Sequence, residues 1–200
     1  FRRVLFRSVA VVDDSFSDSQ LSDMNDRGVR GIRVNALTPA GMPLDQIRKL
    51  AERIAPLGWH IVVYFEMPDL PELEGFFAAL PTTVVVDHMG TPDIKKGVDH
   101  PENQRFHRLM TEHRNFWVKA TCPERMTLAG PPYEDVVPFG RSLVEKFPDR
   151  VIWGTDWPHP NMKKEMPDDG ILVDYVPSIA NTPELQKKLL VTNPNNLYWS

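Results

Sequence analysis

The stretch Val151-Ile152-Trp153-Gly154-Thr155-Asp156-Trp157-Pro158-His159-Pro160-Asn161 reads as a short apolar strand that runs into a stiff polar loop. Its prolines and tryptophans restrict the loop, so a carboxylate at its head is held in place. The same grammar recurs upstream. Thr83-Val84-Val85-Val86-Asp87 leads to His88-Met89-Gly90, and Phe116-Trp117-Val118-Lys119-Ala120 leads to Thr121-Cys122-Pro123-Glu124-Arg125. Ile61-Val62-Val63-Tyr64-Phe65 is followed by Glu66, Gly31-Ile32-Arg33-Val34-Asn35 is polar at its end, and Val9-Ala10-Val11-Val12 precedes Asp13 and Asp14. Three of these six β-branched runs are close to continuously apolar, as expected of strands covered on both faces.

Segments of helical period separate the runs. After Pro43, the residues Leu44, Ile47, Leu50, Ala51, Ile54 and Leu57 share one face, and Gly58 follows as a stop. Further stripes fall on Leu70, Leu73, Phe76, Phe77 and Leu80, on Phe106, Leu109, Met110 and His113 after Pro101, and on Val136, Leu143 and Phe147 before Pro148. Thr182 and Pro183 form an N-cap and first-turn pair ahead of Leu185, Leu189 and Leu190. Strand and helix in alternation mean a parallel sheet with right-handed crossovers, either an open doubly wound sheet or a barrel, and the pattern leaves both open. No G-x-G-x-x-G follows the first strand, no P-loop occurs, and no G-x-S-x-G elbow is present.

Two hundred residues, 42% hydrophobic and 25% charged, suit one globular domain. The length is short of the ~250 residues of a full eight-stranded β/α barrel. A net charge of -4 offers no basic field for a phosphate backbone, so nucleic acid is not expected as a partner. Nor is a membrane, since no apolar run approaches ~18 residues. The single cysteine, Cys122, has no intramolecular disulfide partner, which fits a reducing, cytoplasmic setting. Residues 1–8, with three arginines and no initiator Met, read as truncation-junction or spurious sequence, leaving 9–200 as the domain.

In parallel α/β folds the ligand crevice lies at the carboxyl ends of the strands, where this chain places carboxylate, imidazole and guanidinium groups together. Asp156 is a candidate base for water or a metal ligand; its structural alternative is a loop cap. His88 is a candidate electrophile or ligand, though a strand-end histidine is as often structural. Arg125 and Arg33 are costly to bury unpaired and suit a substrate carboxylate; a neighbouring carboxylate would serve equally, above all for Arg33. His60, at a strand start, and His100, His107 and His113 are weaker candidates. Nothing in the sequence lowers the Cys122 thiol pKa, so a thiol nucleophile is disfavoured.

The segments Gly31 to Asn35, Gly58 to Glu66, Val86 to Gly90, Trp117 to Lys119 and Trp153 to His159, with the closing Asn193-Pro194-Asn195-Asn196-Leu197-Tyr198, resemble the amidohydrolase-related TIM-barrel family. The likeness runs from about Val9 to the end. It implies a (β/α)8 barrel of the metal-dependent hydrolase type, of which this chain carries strands three to eight. It further implies a hydrolase that opens a small anionic lactone, pyrone dicarboxylate-like or muconolactone-like, in aromatic catabolism. By the resemblance Asp156 is the base that activates water and His88 helps to polarise the carbonyl. Arg125, Arg33, Tyr64, Asn161 and His159 match substrate-binding positions.

Two departures bear on these implications. The family's first strand ends in His-x-His, which this sequence lacks, and a further arginine of the pyrone dicarboxylate enzymes falls where this chain reads Ala36-Leu37-Thr38-Pro39-Ala40. By the resemblance, many relatives bind a divalent ion such as zinc through that pair and the final Asp, with Asp156 and His88 as the ligands here, whereas the pyrone dicarboxylate enzymes work without one. Metal-dependent decarboxylation of an aromatic acid is the alternative activity in the same family. An inactive fragment is a third outcome, for six strands alone are expected to leave two open sheet edges and apolar lining residues in water.

Overall fold

The computed structural model of the protein describes residues 6–35, 41–160, 162 and 166–199. Six strands, β1 (Ser8–Ala10), β2 (Val29–Asn35), β3 (His60–Tyr64), β4 (Val84–Val86), β5 (Phe116–Lys119) and β6 (Val151–Ile152), form one sheet in chain order. Every neighbouring pair is parallel, and the sheet curls into a half-barrel. Each strand falls within or against one of the six apolar runs. Because all six point the same way, their polar ends meet on one rim.

The connecting helices are those the periodicity marks, with additions. They are α1 (Asp18–Asp26), α2 (Leu44–Ile54), α3 (Leu70–Ala78), α4 (Pro101–Glu112), α5 (Pro123–Met126), α6 (Val137–Lys146), α7 (Asp169–Asp174), α8 (Val176–Ile179), α9 (Pro183–Lys187) and α10 (Asn193–Tyr198). Helix α2 buries Ile47, Leu50, Ala51 and Ile54, and the chain then turns at Gly58, whose φ of 69° is the left-handed value that favours glycine. The Thr182 hydroxyl caps α9 by accepting from the Leu185 amide at 3.2 Å. Helix α1 has no counterpart in the periodicity because it buries only Leu21. Its start is set instead by a reciprocal cap between Ser17 and Gln20.

The main core lies between the convex face of the sheet and the helices. There Ile32, Ile61, Val63, Val86 and Val118 pack against side chains such as Ile47 and Phe106. The alternate residues face inward, and here one expectation fails: the apolar lining is not left in water. Val62, Val85 and Ile152 are buried, because Leu197 of α10 packs on them with Val9, Trp117 and Tyr198 at the margin. Asn193 anchors that helix, its amide donating to the Pro148 carbonyl at 2.8 Å and the Val151 carbonyl at 2.7 Å. At the chain start Arg7 donates to the Tyr198 carbonyl at 2.9 Å and lies over the Trp199 ring. No helix among the described residues is long and apolar enough to cross a membrane.

His60 opens β3 opposite Gly31, and a Cβ on Gly31 would come within 2.7 Å of the histidine ring, so only glycine fits there. Both ring nitrogens of His60 lack a hydrogen-bond partner among the described residues, and burial, helped by Lys119, lowers its pKa to about 3. The folded state therefore keeps His60 neutral while the unfolded chain takes up a proton below about pH 6.5. Stability from this site is complete above that value and declines as pH falls toward 3, by up to about 1.4 kcal/mol per pH unit. In urea titrations between pH 7 and 4, His60→Leu should flatten the decline relative to the parent protein.

Candidate active site

The loops after β4, β5 and β6 deliver the converging groups. Asp156 sits in the left-handed region at φ 64°, as do His88 at 52° and Cys122 at 61°. Three non-glycine residues in that region, all at one corner, are the kind of local strain that surrounding structure must hold in place. The Arg125 guanidinium, carried on α5, pairs with Asp156 Oδ2 and donates to the Pro160 carbonyl at 2.8 Å. Asp156 Oδ1 faces His88, 3.9 Å from its Nε2. The other ring nitrogen, Nδ1, is 2.8 Å from Thr121 Oγ1, and Cys122 Sγ is 3.9 Å from Nε2. The ligand atoms of His88, Cys122 and Asp156 all lie within 4.8 Å of one another.

Burial is the main cause that pulls the His88 pKa below its ordinary value, against the pull of Asp87 and Asp156, so the imidazole is neutral at neutral pH. Burial, aided by Glu124 and Asp156, pushes the Cys122 thiol up. An uncharged thiol is a poor nucleophile, in line with the low rank its sequence context gives it. Tyr64 stands near, its ring centroid 6.2 Å from that of His88 and its hydroxyl donating to Glu66 Oε1 at 3.2 Å.

Beneath this rim is an ion cluster. Asp87, with its side chain 1% exposed, pairs with Arg33 from β2 through Oδ2 and with Lys119 from β5 at 2.8 Å through Oδ1. Arg33 thus takes the neighbouring-carboxylate option. Lys119 escaped the sequence reading, although its alternation with Trp117 on β5 turns it to the inside. Two cations on one carboxylate leave a positive surplus under the site, which suits an anionic ligand. A recess of about 250 Å³ is lined by Asp87, His88, Lys119, Thr121, Asp156 and Tyr198, among others. Beyond Arg125, a groove of about 730 Å³ passes Glu66, Thr91 and Lys95.

Not every expected residue converges. His159 is buried behind the loop, its Nε2 3.2 Å from Asp169 Oδ1 and its Nδ1 3.9 Å from Glu124 Oε1, so it braces the segment that carries Asp156. Its amide also donates to the Asp156 carbonyl at 2.8 Å. Asn161 and the segment 36–40 lie outside the described residues. Asp13 accepts from the amide of Ser15 at the surface, and His107 sits between α4 and α6, 3.0 Å from Lys146 Nζ.

A curled parallel sheet with carboxylate, imidazole and guanidinium gathered at its carboxyl rim is the arrangement of β/α-barrel enzymes. The profile of the amidohydrolase family matches residues 2–199, and the chain belongs to that family. It is 57% identical over 203 residues to a 2-pyrone-4,6-dicarboxylate hydrolase of Comamonas testosteroni, covering 96% of this chain and 67% of that protein. A 4-sulfomuconolactone hydrolase of Rhizobium radiobacter is 35% identical, over 90% of this chain and 62% of its own length. The chain thus spans about two thirds of the length of these curated relatives. Among solved structures, Agrobacterium tumefaciens ATU3138 superposes with a TM-score of 0.82 at 25% identity, covering 97% of this chain and 70% of that one. The half-barrel is accordingly part of a TIM-barrel fold.

Asp87 is the buried member of this cluster, while the side chains of Arg33 and Lys119 stay 44% and 22% exposed and are partly screened by water. Asp87→Ala should lower the unfolding free energy by about 1–2 kcal/mol, measured by urea denaturation, because both cations lose a charge-assisted hydrogen bond.

Proposed function

We propose that this protein hydrolyses a small anionic lactone of the pyrone dicarboxylate or muconolactone type, in the catabolism of aromatic compounds. The observation that carries the reading is Asp156. One of its oxygens is fixed by Arg125 and the other is turned to His88, at the rim of a chain 57% identical to a pyrone dicarboxylate hydrolase. Asp156 Oδ1 accepts a proton from water as the oxygen attacks the lactone carbonyl. The acyl C–O bond then breaks, and the departing ring oxygen takes up the proton, so one water is consumed per ring opened.

The corner at His88 Nε2 supplies the electrophile for the carbonyl oxygen, with Thr121 fixing the ring through Nδ1. Arg125 at the rim, and Arg33 with Lys119 in the cluster around Asp87 beneath it, hold the carboxylate groups of the substrate, with Tyr64 beside His88. A divalent ion such as zinc fits the nitrogen, sulfur and oxygen donors grouped at this corner, and when bound it would polarise the carbonyl and acidify water. A cytoplasmic setting accords with the lone cysteine, and a small anionic substrate rather than nucleic acid accords with the net charge of -4.

With 2-pyrone-4,6-dicarboxylate as substrate, loss of pyrone absorbance should follow enzyme concentration, and Asp156→Asn should slow it about 10³-fold. Near-normal turnover in that variant overturns the role of Asp156. Release of carbon dioxide from aromatic acids without any lactone opening, by the folded protein, overturns the reaction class.

A further inference from the structure

We propose that Glu124 is a positioning residue for the base: with His159 it forms the second grip of a two-point clamp by which α5 holds the loop that carries Asp156. The clamp deepens the lactone reading, on which its kinetic consequence rests. Two successive residues of α5 meet that loop. Arg125 pairs with Asp156 Oδ2 and donates to the Pro160 carbonyl at 2.8 Å. Glu124 instead faces His159, its Oε1 lying 3.9 Å from the ring Nδ1.

Glu124 Oε1, Glu124 Oε2 and His159 Nδ1 are all buried without a hydrogen-bond partner among the described residues. The two side chains that carry them are 3% and 1% exposed. Polar atoms shut away in this manner are paired in nearly all native structures. The other ring nitrogen, Nε2, is committed to Asp169 Oδ1 at 3.2 Å, so Nδ1 and the Glu124 carboxyl are left to each other. A bridging water spans about 4.5 Å between its two partners, more than the 3.9 Å present, whereas a direct bond needs an approach of about 1 Å. One proton between the carboxyl and Nδ1 makes that bond.

The backbone shows why a single grip is not enough. Asp156 and His159 both lie in the left-handed region, at φ 64° and 56°, and the His159 amide closes the turn between them by donating to the Asp156 carbonyl at 2.8 Å. Side chains with a Cβ resist that region, so surrounding contacts must hold the turn. Each end has its own holder on α5: Arg125 for Asp156, Glu124 for His159. Asp156 Oδ1 stands 3.9 Å from His88 Nε2 only while the turn keeps its shape. Release of the His159 end lets the carboxylate drift from the water it deprotonates, and a misplacement of about 1 Å slows a reaction by up to about 100-fold. Glu124 and His159 both act through Asp156 and touch no substrate themselves.

The test has a kinetic arm and a substrate-free arm. With 2-pyrone-4,6-dicarboxylate, Glu124→Ala should lower kcat about 10–100-fold and leave KM within about twofold, since Arg125 and Lys119 remain. Glu124→Gln keeps a donor and an acceptor beside Nδ1 and should recover most of that loss. His159→Ala should match Glu124→Ala, and the double variant should be no slower than either, as expected of two residues that act as one unit. In an Asp156→Asn background Glu124→Ala should cost nothing further, an outcome that general loosening of the fold would not give. In isotopically labelled protein without substrate, the Nδ1 magnetic resonance of His159 should have the shift of a hydrogen-bonded nitrogen. It should move in Glu124→Ala or Glu124→Gln, whichever folds. An Nδ1 signal indifferent to both changes overturns the clamp, as does undiminished kcat in a folded Glu124→Ala protein or an equal loss in the Asp156→Asn background. If the parent protein opens no lactone, the lactone reading fails while the His159 resonance still decides the clamp.

Discussion

A single buried carboxylate ties the fold to its rim. Asp87 ends the central run of β4 and receives one cation from β2 and another from β5, so strands on either side of β3 and β4 are joined through it. Charges buried at this depth persist only when paired, and the pairing fixes how far the three strands can slide against one another. The next residue along the chain is His88, whose ring lies over the same recess. The imidazole is therefore located by the electrostatics of the layer below it as well as by Thr121 beside it. Hydrophobic burial builds the half-barrel, while this layer of charge decides where its working groups stand.

Much of the architecture is written in local pattern. The apolar runs at Ile61 to Phe65 and Thr83 to Asp87 are legible because strands covered on both faces have no need of alternation. Gly58 and Thr182 mark helix ends through backbone conformation and capping, which a few neighbouring residues determine. Helix α1 escapes this kind of reading because a helix with one buried side chain leaves almost no period behind. Likewise, nothing local tells that Leu197 will fill the inside of the sheet, for that contact joins the last turn of the chain to Val62 and Val85.

The site divides along the same line. Asp156, His88 and Arg125 are legible because strand ends in a parallel sheet share a rim, and each is the polar residue that ends or follows an apolar run. Which of them touch is a matter of three dimensions: the Arg125 to Asp156 pair spans 31 positions and the Arg33 to Asp87 pair spans 54. His159 shows the converse, since it stands three residues from Asp156 yet its ring turns to Asp169 and Glu124. The resemblance placed it at the site, while its own backbone and that of Asp156 are both left-handed and its ring packs behind the loop. Cys122 was legible only as a thiol without activation, and its nearness to both His88 and Asp156 emerges from two loops on neighbouring strands.

The seating of α10 carries a consequence for how the molecule is made. Pro194 and Tyr198 line the recess beside His88, and Asn193 fastens their helix to Val151 and Pro148. During synthesis these residues emerge after all six of the strands described above. Without them, Val62, Val85 and Ile152 lose Leu197 and Tyr198 from their cluster, and the recess loses Pro194 and Tyr198 from its lining. Formation of this side of the pocket is thus coupled to the docking of α10: a chain that has already paired these six strands still awaits that helix before the recess has a wall there.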